Sequence, residues 1–131
     1  MKRCLTALLL LILLAGACPG QTRGRRWLRG GWAGTGYQTD SKNTWEMELE
    51  FERGRYTARY PSLECEGRWR LLSLTRTRAV FRETITSGAE RCANRGRVVI
   101  ERLNARQLGY RYSYQGSKDY VASAILDRRR R

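Results

Sequence analysis

From residue 30 onward the sequence predicts an all-β fold: a small eight-stranded antiparallel up-and-down barrel, with a two-sheet β-sandwich as the alternative. Three observations carry this. Apolar and polar residues alternate with period two in successive short segments. Turn signals recur every 8–12 residues or so. Connections between consecutive segments are short, which favours a meander over long crossovers. An open sheet of eight strands would expose two bare edges and one broad apolar face; closure removes the edges.

The first strand is read at 31–38, GWAGTGYQ. The next two are the clearest. In WEMELEFE (45–52), Trp45, Met47, Leu49 and Phe51 point one way and Glu46, Glu48, Glu50 and Glu52 the other. Arg53-Gly54 then forms a two-residue turn. It sets Phe51 opposite Tyr56 and Leu49 opposite Ala58 on the inner face, and Glu52 opposite Arg55 and Glu48 opposite Arg59 outside. Apolar and charge registers agree, so part of the charge is already spent across strands.

The fourth strand places Cys65, Gly67, Trp69 and Leu71 on one face. The fifth, AVFRETIT (79–86), puts Phe81, Glu83 and Ile85 on one face. A three-residue turn at 76–78 sets Leu71 beside Glu83 and Trp69 beside Ile85. Val98–Leu103, Leu108–Tyr114 and Tyr120–Leu126 supply the last three strands, with Leu108, Tyr110, Tyr112 and Tyr114 as a stripe on the second of these.

Residues 1–17 read as a bacterial secretory signal. Lys2 and Arg3 are its basic start, Leu8–Leu14 its apolar run, and Ala15-Gly16-Ala17 the small residues before the cut. LAGAC resembles a lipobox, departing from it at Ala15, where Leu is usual. Lipobox processing and plain cleavage after Ala17 both begin the mature chain at Cys18. They differ in whether Cys18 carries lipid, and the lipid-bearing form is the favoured reading. Residues 18–29 are then the lipidated Cys and a flexible tether, and 30–131 the domain. Pro19 in place of Asp implies outer-membrane placement facing the periplasm; a secreted or periplasmic soluble protein is the alternative.

The formal charge is +14, mostly arginine. Arginine forks suit phosphate and carboxylate, but a solvated arginine-rich surface explains the same count. Cys65 and Cys92 are an even pair in an oxidising compartment and are expected to form a disulfide. It would be worth about 3 kcal/mol on the loop-entropy account. The absence of histidine and of C-x-x-C spacing argues against metal, and no cofactor is expected. No histidine base, free thiol, G-x-S-x-G or phosphate loop supports an enzyme, and no spacing points to a two-carboxylate hydrolase.

Gly30-Gly31-Trp32 resembles the G-x-W signature of lipocalin-like (calycin) barrels. That resemblance implies a Trp closing one barrel end beneath an arginine of the last strand, here Arg128. YPSLECEGRW (60–69), FRETITSGAERC (81–92) and Gly96-Arg97-Val98 resemble an uncharacterised bacterial extracytoplasmic domain, found in small secreted proteins and lipoproteins and appended to some Ser/Thr kinases. The resemblance implies export and the two cysteines, with Glu83 as a pattern position, and brings no activity.

Glu83 on an inward face must pair, bind a ligand or hold its proton; an ion pair with Arg111 or Arg102 is the structural option. Trp32, Trp45, Trp69, Tyr110, Tyr112 and Tyr114 either line a ligand cup or fill the barrel solidly. Arg128, Arg129, Arg130 and Arg131 are candidate anion binders or an ordinary basic tail. The expected role is non-enzymatic binding of a small apolar or lipid-like ligand in the barrel at the cell envelope. A protein-interaction or inhibitor module using the outer face and loops is one alternative. Arginine-mediated binding of anionic lipid, polysaccharide or other envelope polymers is another. The expected partners are therefore the membrane, through lipid on Cys18, and an apolar ligand or envelope protein; nucleic acid is not among them.

Overall fold

The computed structural model describes residues 24–130. Eight antiparallel strands close into a barrel in sequence order: β1 (Gly30–Gln38), β2 (Thr44–Glu52), β3 (Arg55–Tyr60), β4 (Cys65–Leu74), β5 (Arg78–Ser87), β6 (Arg97–Arg102), β7 (Gln107–Ser113) and β8 (Ala122–Arg128). β8 returns to pair with β1, from Trp32 opposite Arg128 to Gln38 opposite Ala122. That last ladder excludes the sandwich. Residues 1–17, expected as a signal, and Cys18 and Arg131 lie outside the described residues.

The β2–β3 hairpin has the register its alternation dictates: Phe51 faces Tyr56, Leu49 faces Ala58, and Glu48 faces Arg59. Its turn takes left-handed backbone at both Arg53 (φ 48) and Gly54 (φ 80). Such a turn matches the twist of the flanking strands, and the glycine accepts it without a Cβ penalty. Arg59 bridges Glu48 and Glu66 outside.

The β4–β5 register differs from expectation. Leu71 faces Phe81 and Trp69 faces Glu83, two residues from the predicted pairing. The turn is tighter than the sequence suggested. Thr75 Oγ1 accepts the Thr77 and Arg78 amides, and the Thr75 amide donates to the Arg78 carbonyl. Pairing therefore starts at Leu74–Ala79. An irregularity between Leu71 and Ser73 then loops out Leu72, which is exposed. Each step shifts the register by one.

β8 begins at Ala122 rather than Tyr120. Tyr120 instead stacks on Arg111, 4.9 Å from ring to guanidinium, in the preceding loop. The domain boundary also moves. Residues 24–29, expected as tether, form a turn that plugs one barrel end: Leu28 is 1% exposed, and Trp27 is buried with it. Lack of periodicity hid this, because only two side chains of the stretch turn inward.

The interior is filled. Phe51, Tyr56, Trp69 and Phe81 pack with ring centroids 5.0–5.8 Å apart, and Trp69 stacks on Tyr110 at 6.1 Å. Leu49, Ile100, Leu108 and Leu126 complete the layers nearer the plugged end.

The connections at the two ends differ in charge. At the plugged end they hold Arg25, Arg26 and Arg29 before β1, Arg53 after β2, Arg76 after β4, Arg106 after β6, and Arg129 and Arg130 after β8, with no acid. At the other end Asp40, Glu64, Glu90 and Asp119 balance Lys42, Arg91, Arg95 and Lys118.

Candidate functional site

The charge-balanced end carries a cavity of about 90 Å³, lined by Trp45, Tyr60, Glu83, Tyr110 and Tyr112 with Gln38 and Ala122 at the rim. Period-two alternation brings these together: each is an inward residue near the mouth end of its strand. The β5–β6 loop (88–96) folds across the opening and contributes Arg91, Cys92 and Ala93 to the lining. It is pinned at several places, among them the Arg95 carbonyl, which accepts from Arg82 Nη1 at 2.9 Å. The Cys65–Cys92 disulfide ties it to β4, with Cα atoms 6.5 Å apart. Arg91 donates to the Leu63 and Glu64 carbonyls at 3.0 and 2.7 Å. The Ile85 amide donates to Asn94 Oδ1 at 2.9 Å, and the Glu83 amide to the Gly96 carbonyl at 3.0 Å. Gly96 lies flat on the Tyr112 ring; a Cβ there would sit 2.0 Å from it.

Glu83 is the centre of the site and is 3% exposed. Its Oε2 accepts from the Tyr60 hydroxyl and, at 2.5 Å, from Trp69 Nε1. Neither Arg111 nor Arg102 reaches it. Arg111 alternates outward between Tyr110 and Tyr112 and bonds Glu101 at 2.5 Å, while Arg102 stands at the plugged end. The expected ion pair is thus replaced by two neutral donors, because the inward positions around Glu83 are aromatic. Burial pushes the Glu83 carboxyl up, against the two hydrogen bonds, which pull it down. Burial likewise pushes Tyr60 and Tyr110 well up, reinforced by the facing carboxyl.

Oε1 accepts no hydrogen bond from the described residues, and Glu83 lines the cavity. The site therefore offers one carboxyl edge between aromatic walls. About 90 Å³ is small beside the roughly 300–1,000 Å³ of pockets for drug-sized ligands. It has room for the end of a molecule, not for a whole chain.

The other aromatic candidates divide. Trp69 is not in the cavity lining; its Nε1 donates to Glu83 and its ring stacks on Tyr110. Tyr114 sits outside the cavity lining, donating to Asp40 Oδ2 at 2.7 Å and accepting from Gln38 Nε2 at 2.8 Å; the pair pushes Asp40 down and Tyr114 up. Trp32 is at the opposite end, fully buried, and cannot meet a ligand. Its Nε1 donates to the Leu28 carbonyl at 2.8 Å, and the Arg128 guanidinium lies 4.0 Å from its ring centroid. Arg128 also donates to the carbonyls of Arg29, Ala105 and Trp27. It is a strut of the plug. Arg129 approaches Glu48 at 3.7 Å, and Arg130 is exposed.

Tyr60, Gln38 and Arg91 were not legible as site residues. Tyr60 carried a signal, since it ends the inward row Tyr56–Ala58–Tyr60. The other two did not, because loop closure alone brings them in.

No family model and no curated protein matches the chain. Among solved structures, it is similar to a redesigned β-barrel, with a TM-score of 0.61 and 14% identity over 82% of this chain and 96% of that one. The likeness shows the fold.

Proposed function

We propose that this protein is a non-enzymatic binding barrel of the bacterial envelope, exported by residues 1–17 and anchored through lipid on Cys18. It takes one end of a small apolar or lipid-like molecule at the mouth, against Glu83. The observation that carries this is the buried carboxyl with one oxygen doubly bonded and the other left for the cavity. A carboxyl buried only for structure would be expected to satisfy both oxygens. The extracytoplasmic resemblance of residues 60–98 supports export.

Titration with n-octanol and n-octylamine tests the site, read by tryptophan emission, since Trp45 lines the cavity and Trp69 donates a hydrogen bond to Glu83. A saturable change is expected, with Glu83→Gln altering the preference between the two heads. No response to either, and no shift in melting, overturns the reading. Intact mass of protein from a bacterial host tests the anchor: diacylglycerol and acyl chain on Cys18 support it, and a bare chain from Cys18 removes it.

A second reading has its own observation. The filled aromatic interior suits a rigid interaction module that uses its outer face and loops, and there a protein partner would bind Glu83→Gln as well as the parent.

A further inference from the structure

We infer that the plugged end rests on an anionic phospholipid surface, with the ligand mouth directed away from it. The connections of that end hold eight arginines and no acid, with Glu52 at the end of β2 a single carboxylate beside Arg25, Arg26, Arg29 and Arg53, whereas the connections of the opposite end are balanced. All eight are exposed, and only Arg129 has an ion-pair partner among the described residues. Arg26, Arg76 and Arg102 converge around one groove beside Trp27. Arginine forks fit phosphate oxygens two at a time, which a lysine does not.

Geometry adds direction. The chain enters the barrel at this end, at Gly24. Six residues of extended chain reach at most about 20 Å, so a lipid on Cys18 would hold the arginines close to the headgroups. Charges act over a Debye length of about 8 Å at physiological salt. The near end is therefore attracted while the balanced far end, a strand-length away, feels nothing. A barrel charged at one end stands upright, and its mouth meets ligands from the aqueous side. The upright stance rests on the anchor reading above; the attraction itself does not need the lipid.

The test uses the mature chain from residue 18 carrying Cys18→Ser, so that no lipid contributes. Its partition is measured onto vesicles of phosphatidylglycerol mixed with phosphatidylcholine, and onto phosphatidylcholine alone. Binding to the anionic vesicles only, lost as salt rises, is expected. Each arginine neutralised should cost about fivefold, from about 1 kcal/mol per basic residue at such a surface. Arg53→Ser with Arg76→Ser should therefore lower partition by about 25-fold, while Lys42→Ser with Lys118→Ser at the other end leaves it unchanged. No binding, equal binding to neutral vesicles, or equal loss from the two double variants overturns the inference. Tighter capture by soluble polyphosphate than by vesicles of equal phosphate content also overturns it, in favour of a polymer. None of these outcomes bears on the octanol and octylamine titration, so the two readings fail separately.

Discussion

The two ends of this barrel solve the same problem with opposite chemistry. At the plugged end, Trp27 and Leu28 turn inward, Trp32 is wholly buried, and Arg128 lies over it while bonding three carbonyls. The Trp32 indole N–H and the Arg128 guanidinium are both spent on the plug. At the mouth, a disulfide-pinned loop covers the opening, yet a carboxyl and three phenols remain around a small cavity. The difference teaches where stability and chemistry are separated. The plug excludes water and keeps no buried polar group turned toward a cavity inside the barrel. The mouth keeps a costly buried carboxyl with an unsatisfied edge, which is a poor way to stabilise a barrel and a good way to recognise something.

The largest test of that contrast is Trp32→Ala. Removing a fully buried indole should cost about 3–5 kcal/mol, and urea unfolding should show a much lower midpoint. A loss below that of a mouth substitution would break the comparison. Cys65→Ser with Cys92→Ser comes next, at about 3 kcal/mol. Hydrogen exchange should accelerate at the Glu83 and Ile85 amides, which bond the β5–β6 loop, and stay slow at Arg128, whose amide bonds the Arg106 carbonyl. Gly96→Ala should cost about 1–3 kcal/mol through overpacking on Tyr112, and should loosen the loop without touching the plug.

A pH series sharpens the comparison further. Glu83 is held above its ordinary value of 4.5, so the folded state keeps a proton that the unfolded chain releases. The stability this contributes is full below pH 4.5 and is lost as pH rises through the folded-state value. Denaturation of the parent and Glu83→Gln across this range should therefore show the parent's advantage shrinking with rising pH; a constant difference sinks the assignment. The smallest effect is expected for Arg53→Ser and Arg76→Ser, within about 0.5 kcal/mol in thermal unfolding. Neither arginine side chain has a hydrogen bond or ion pair among the described residues, and a larger loss would make them part of the plug.

Two hairpins show how far the sequence could be read. In β2–β3 the apolar row, the charge row and the Arg53-Gly54 turn all specify one register, and the structure has it. In β4–β5 the inward faces were legible, so Trp69 and Glu83 were both placed in the core. Their pairing was not, because a Thr75 side chain tightened the turn and Leu72 dropped out of the ladder. That slip hid the Trp69–Glu83 hydrogen bond and made an arginine look like the natural partner. The Arg128–Trp32 contact was anticipated from the G-x-W resemblance, whereas Trp27 and Leu28 carried no periodic signal at all.

By itself the sequence determined which face of β2, β3, β4, β5 and β7 is buried, how the strongest hairpin pairs, and that Cys65 and Cys92 belong together. These follow from period-two alternation and from cysteine number, which are local or compositional properties. Only the tertiary structure decided what Glu83 touches, which segment plugs the barrel, and that the loop arginines without acidic company gather at one end. Those depend on closure of β1 onto β8 and on register shifts of a single residue, each of which moves a side chain to a new neighbour without altering the alternation that put it inside.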